Sequence, residues 1–106
     1  MDAYCKACYD ERVRIHRLKR NYGLTPQQLQ AMHDRQQGKC ASCGEEEKTV
    51  TRNGKRRKLC IDHDHETGLP RELLCSQCNV GIGMLQDSVT IIEKALNYVR
   101  RHKAAR

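Results

Sequence analysis

The chain has no tryptophan, no phenylalanine and only four tyrosines in 106 residues. A single small domain so poor in rings has little large apolar surface to bury. Domains of this size then draw on a structural metal or on disulfides. No apolar run approaches the roughly 18 residues that a membrane span needs. No apolar leader opens the sequence either, so a cytoplasmic protein is expected rather than a secreted one. Acidic residues are also in deficit, 13 against 20 lysines and arginines, a formal net charge of +7. A zinc ion bound by four thiolates would lower that by about two units and still leave the chain basic. Such an excess reads as an electrostatic footprint for nucleic acid, with plain solubility as the competing reading.

Cysteine is plentiful by contrast, with seven residues. Six fall in three CxxC pairs: Cys5/Cys8, Cys40/Cys43 and Cys75/Cys78. With a charged surface, this pattern favours reduced thiols and metal binding over disulfides. Cys40, Cys43, Cys75 and Cys78 together supply four thiolates for one tetrahedral zinc. The 31 residues between Cys43 and Cys75 exceed the spacing of an ordinary zinc ribbon. Cys5 and Cys8 have no matching pair. Half of a shared zinc site, completed by His16, His33 or a second subunit, ranks ahead of two free thiols. Cys60, between Leu59 and Ile61, reads as a small buried side chain.

The zinc loop encloses Asp62-His63-Asp64-His65. Carboxylate and imidazole side by side are the parts of a hydrolytic site. A histidine titrating near neutrality can take a proton from water, and a carboxylate is a hard ligand for Mg²⁺ or Mn²⁺. Asn79 follows Cys78 directly, so the second knuckle would fix it, and its carbonyl oxygen is a neutral second ligand. A merely polar loop, or zinc ligation by His63 and His65, competes with this reading.

The rest of the chain frames these motifs. Residues 9–22 read as a basic helix. Thr25, Pro26 and Gln28 mark a capped helix start, with Leu24 stapling onto Leu29, and this helix runs to about Gln37 with Gly38 left-handed. Glu45, Glu46 and Glu47 read as a solvated acidic loop. Residues 48–62 suggest a hairpin pairing Thr49–Thr51 with Leu59–Ile61 about a type I′ turn at Asn53-Gly54. Its tip carries Arg52, Lys55, Arg56, Arg57 and Lys58, placed to meet a phosphate backbone. Arg71–Leu74 form a strand entering Cys75, and a short helix starts near Ser76. A last helix runs from Asp87 or Ser88 to about His102, ending in a basic tail of Arg100, Arg101, Lys103 and Arg106. Its stripe of Val89, Ile92, Leu96 and Val99 suits a core or a partner, including a second copy of the chain.

Taken together, Cys40-x-x-Cys43, Asp62-His63-Asp64-His65, Thr67-Gly68, Arg71-x-Leu73-Leu74-Cys75-x-x-Cys78-Asn79 and Gly83 resemble the phage recombination endonuclease VII family, one of the HNH or His-Me finger nucleases. The resemblance covers about residues 24–99. It implies an α+β fold, a small zinc-stabilised ββα-metal domain over 24–106 with flanking helices, preceded by an N-terminal CxxC and basic helix over 1–23. By position it implies structural zinc on the four cysteines, catalytic Mg²⁺ on Asp62 and Asn79, and His63 as general base. His65 would contact the scissile phosphate or support the site, and Arg71 would engage phosphate near the cut. DNA is the implied substrate, in the cytoplasm of a host cell for a phage-encoded enzyme. A DNA-binding module without activity, or an accessory part of a phage DNA-processing or packaging assembly, are the alternatives. Glu72 stands where the family usually has glycine.

Overall fold

The computed structural model describes the backbone of residues 6–103 and the side chains from residue 10 onward. The expectation for Cys5 and Cys8 falls on side chains outside these residues, as does Arg106. Four helices and two strands follow in the order α1 (Lys6–Tyr22), α2 (Pro26–Arg35), β1 (Cys60–His63), β2 (Pro70–Leu74), α3 (Ser76–Met84) and α4 (Val89–Lys103). The fold is α+β, with helices flanking a two-stranded antiparallel sheet and the succession β1–β2–α3 at its centre.

Local chemistry sets the start of α2. Thr25 Oγ1 accepts from the Gln28 N–H at 3.2 Å, and Gln28 Oε1 accepts from the Thr25 N–H at 2.9 Å. This reciprocal box satisfies two otherwise orphaned donors, and Pro26 occupies the first turn at no hydrogen-bonding cost. The helix stops at Arg35. Gln37 and Gly38 then turn left-handed, with φ of 56° and 71°, and the Gly38 N–H closes on the His33 carbonyl at 3.0 Å.

The core is small and divided by β2. Leu73 packs with Leu24 and Met32, joined by half-buried Leu18, Tyr22, Leu29, Leu59 and Ile61. Leu74 packs with Cys40 and Cys75, joined by Leu59, Cys78 and Ile82. Successive strand residues point to opposite faces, so two adjacent leucines serve two cores. Among the described residues Leu73 is the most deeply buried side chain, 2% exposed. Burying one such leucine contributes about 1.5–3 kcal/mol. Few buried residues supply that term, which is the situation in which a bound metal supplies folding energy.

Three expectations are corrected here. The hairpin partner of residues 60–63 is 70–74, not 49–51. Residues 49–57 do fold back, but only through one bridge, Val50 with Arg56, and the bonds Thr51 N–H to Lys55 O and Arg57 N–H to Thr49 O. The turn is not type I′. Gly54 is left-handed at φ 77° while Asn53 is not, and the Gly54 N–H bonds the Thr51 carbonyl. That is a three-residue loop closed by a glycine bulge. Glu47 is not solvated but 4% exposed. Of the two readings of the α4 stripe, core or partner surface, burial favours the second: no residue of α4 is buried, and Val89, Leu96, Tyr98 and Val99 stay largely exposed. The molecule is correspondingly long, 68 × 34 × 23 Å with a radius of gyration of 17.6 Å, against about 13 Å for a compact chain of 100 residues.

Candidate active site and metal centre

The two knuckles converge on one point. The sulfurs of Cys40, Cys43, Cys75 and Cys78 all lie within 4.8 Å of one another, and Cys43 and Cys75 are 3.9 Å apart. Four sulfurs at the Zn–S bond length on a tetrahedron stand about 3.8 Å apart, so this set fits zinc. Each half has the same local design. The N–H groups of Ser42 and Cys43 point at Cys40 Sγ, and the Cys78 N–H points at Cys75 Sγ. The thiols are poised unequally. Burial opposes ionisation of Cys40, but backbone groups of Cys43, Cys75 and Ser42 outweigh it and bring the thiol down to about 6. Burial and the sulfurs of Cys75, Cys40 and Cys43 push Cys78 up to about 12. Four thiolates cannot occupy this volume together without a cation, and a zinc dication removes that conflict.

Glu47 locks the frame. Its Oε1 accepts from the Ser76 N–H at 2.6 Å, and its Oε2 accepts from the Thr49 N–H at 3.0 Å and the Ser76 hydroxyl at 2.9 Å. The carboxylate therefore holds the first turn of α3, where the helix dipole favours negative charge. Burial alone would raise its pKa, but the donors of Thr49 and Ser76 prevail and bring it to about 2. Sequence reasoning missed this residue, because Ser76, which supplies two of its three donors, lies 29 positions away.

The zinc frame delivers Asn79 into α3, where its N–H bonds the Cys75 carbonyl at 2.9 Å. β1 carries Asp62 and His63, both half-buried. The two strands are out of step here: Ile61 pairs with Leu73 and His63 with Pro70. Two residues of β2, Arg71 and Glu72, thus oppose Asp62 alone, a bulge of the kind that re-aims side chains. Glu72 is exposed and has no left-handed φ, so the bulge accepts a residue other than glycine. Arg71 turns onto Asp62, its Nε donating to Oδ2 at 2.6 Å. Its terminal nitrogens donate to both oxygens of Asp87. These two carboxylates, Asp62 first, raise the guanidinium pKa further above its ordinary value.

The two aspartates of the Asp-His-Asp-His run do different work. Asp64 Oδ1 accepts from the N–H groups of Glu66 and Thr67 at 2.8 and 3.1 Å, and those two bonds hold its carboxyl below the usual range. Asp64 builds the turn between β1 and β2. The His63 ring lies 5.0 Å from that of His65 and 6.2 Å from that of Tyr22. Among the described residues, the four cysteines are the sole group of three or more His, Cys, Asp or Glu donors close enough to hold an ion. Asp62 on β1 and Asn79 on α3 carry side-chain oxygens, and these two elements touch. Cys60 is half-buried and free, and desolvation raises its pKa.

The basic tip is exposed throughout, at Arg52, Lys55, Arg56, Arg57 and Lys58. Arg56 pairs with Glu46 at 2.9 Å. Arg56, Arg57 and Lys58 also edge a groove of about 920 Å³ that runs beneath α1 to Tyr22.

The recombination endonuclease VII family model matches residues 15–101, which take in α2, both knuckles, β1, β2 and α3. The chain belongs to that family. It is 37% identical over 89 residues to the Gene 59 protein of Mycobacterium phage D29, covering 83% of this chain and 50% of that protein. It is 33% identical over 84 residues to the Gene 59 protein of Mycobacterium phage L5, covering 78% of this chain and 48% of that protein. The chain thus spans about half the length of the curated relatives it matches. No solved structure matches it. No helix among the described residues is long and apolar enough to cross a membrane.

Proposed function

We propose that this chain is a metal-dependent DNA endonuclease of the HNH type. One observation carries the reading. Asp62 and His63 sit side by side on β1, and α3, which carries Asn79 and begins at the cysteines Cys75 and Cys78, packs against that strand. A zinc-fixed helix and a bulged strand supply the rigid placement that hydrolysis requires.

In this reading Asp62 and Asn79 hold the divalent cation, Mg²⁺ or Mn²⁺. When bound, it would stabilise charge on the phosphate and the leaving oxygen. His63 accepts the proton of the attacking water. The nearby His65 ring contacts the scissile phosphate or supports His63. Arg71 engages phosphate near the cut, and the exposed tip of Arg52, Lys55, Arg56, Arg57 and Lys58 holds the duplex backbone. Activity takes place in the cytoplasm of a host cell, and α4 offers a surface for a second copy or a larger phage DNA-processing assembly.

The deciding experiment is plasmid nicking by the zinc-loaded protein, with and without Mg²⁺ or Mn²⁺, beside His63→Ala. Nicking that needs the cation and disappears in the variant supports the reading. Salt-sensitive DNA binding without nicking under either cation would assign a DNA-binding module instead. Nicking that survives His63→Ala would remove the general-base role.

A further inference from the structure

Arg71 is gripped on both edges of its guanidinium. Nε reaches Asp62 Oδ2 at 2.6 Å, while the two terminal nitrogens reach the two oxygens of Asp87 at 3.1 and 3.2 Å. Asp87 lies in the turn between α3 and α4, far along the chain from β1. Its backbone is in a conformation that residues with side chains seldom adopt. Gln86 and Asp87 are both left-handed, with φ of 62° and 52°. Such conformations persist only where the surroundings hold them, and they gather at functional sites. The turn is tied down by the bonds Asp87 N–H to Ile82 O at 3.0 Å and Ser88 N–H to Leu85 O at 3.2 Å. Burial of α4 does not account for it, since no α4 residue is buried. The clear product of the turn is a carboxylate presented to Arg71.

A guanidinium facing one carboxylate closes on both oxygens with two parallel bonds. Asp87 occupies the terminal nitrogens and so prevents that at Asp62, which receives one bond on one oxygen. The charges matter as well. One cation shared between two carboxylates leaves the trio with one net negative charge.

We propose that Asp87 is a positioning residue of the nuclease site, drawing Arg71 off Asp62 so that Asp62 keeps an oxygen and its charge for a divalent cation. The proposal rests on the reading of Asp62 as a cation ligand. Without Asp87, Arg71 closes on Asp62 and neutralises it.

The test is Mn²⁺ binding to the zinc-loaded full chain, read by electron paramagnetic resonance without DNA. Asparagine tolerates a left-handed backbone, so Asp87→Asn keeps the turn, and zinc content and far-ultraviolet circular dichroism verify the fold. Asp87→Asn weakens Mn²⁺ binding roughly five- to tenfold, the size expected from losing one nearby charge against a dication. Adding Arg71→Ala to Asp87→Asn returns affinity to near the wild-type value, which a merely structural role would not do. Arg71→Ala alone binds Mn²⁺ more tightly than wild type, and this arm decides the matter should Asp87→Asn lose zinc. Wild-type affinity in Asp87→Asn, no recovery in the double variant, or no gain in Arg71→Ala overturns the proposal while the site stands. Mn²⁺ binding untouched by Asp62→Asn removes the reading of the site, and the proposal with it.

Discussion

The side-chain amide of Gln36 pairs with the backbone of Leu73 as a strand would. Gln36 Oε1 accepts the Leu73 N–H at 2.9 Å, and Gln36 Nε2 donates to the Leu73 carbonyl at 2.9 Å. The last turn of α2 thereby closes the edge of a two-stranded sheet at its most buried residue. The Ala41 N–H also reaches the Leu73 carbonyl, at 3.0 Å, so the first knuckle docks on the same point. Gln36→Ala leaves the Leu73 carbonyl with a donor but strips its N–H of an acceptor. The expected cost is about 1–3 kcal/mol, measured by urea unfolding of the zinc-loaded protein. An unchanged midpoint would mean that water replaces the amide.

Zinc removal should cost far more. The four sulfurs tie residues 40–43 to 75–78, and the buried apolar side chains are few. A strong chelator is expected to abolish the cooperative thermal transition and much of the helical circular dichroism. Cys40→Ser should do the same at neutral pH, with less than one zinc per chain by elemental analysis. A cooperative transition that persists without zinc would show that the two small cores suffice.

Glu47 makes a pH-dependent contribution of defined sign. Its folded pKa is about 2, against an ordinary value of 4.5. The contribution is therefore full above pH 4.5 and is lost as pH falls through the folded value. The stability gap between wild type and Glu47→Gln should be constant from pH 7 down to 4.5 and then shrink. Denaturant titrations of both proteins across that range check it. Because zinc release affects both proteins alike, the gap carries the information rather than either midpoint.

The basic tip should act through phosphates rather than bases. Each of Lys55→Ala, Arg57→Ala and Lys58→Ala is expected to weaken DNA binding evenly across sequences. Each should also reduce the slope of log affinity against log salt by about 0.9. Arg56 is paired with Glu46, so Arg56→Ala should reduce the slope less. Fluorescence anisotropy on two unrelated duplexes at several salt concentrations measures both effects. Sequence-selective losses would place the tip in a groove instead.

Features set by nearby residues were legible in the chain. The box between Thr25 and Gln28 spans three positions and needs no tertiary context. The four cysteines announce their site by residue type. The strand pairing was not legible, because Leu59–Ile61 had two available partners. Asn53-Gly54 favoured 49–51 locally, but that partner brings no buried side chain, whereas 70–74 brings Leu73 and Leu74 to two cores. Glu47 looked like one of three equivalent glutamates until Ser76 and Thr49 closed on it. Asp87 looked like a helix start, and only the folded turn shows it facing Arg71.

The back-to-back leucines of β2 make the protein unevenly tolerant of changes in length. Deleting one residue between Pro70 and Cys75 would exchange the faces of Leu73 and Leu74. It would also pull the second knuckle about 3.3 Å out of place. The neighbouring turn at residues 65–69, exposed throughout, joins the same two strands and bears on neither core. An inserted label should therefore survive in that turn when placed after Thr67, clear of His65 and of the N–H groups that hold Asp64, while β2 admits substitution but not a frame change.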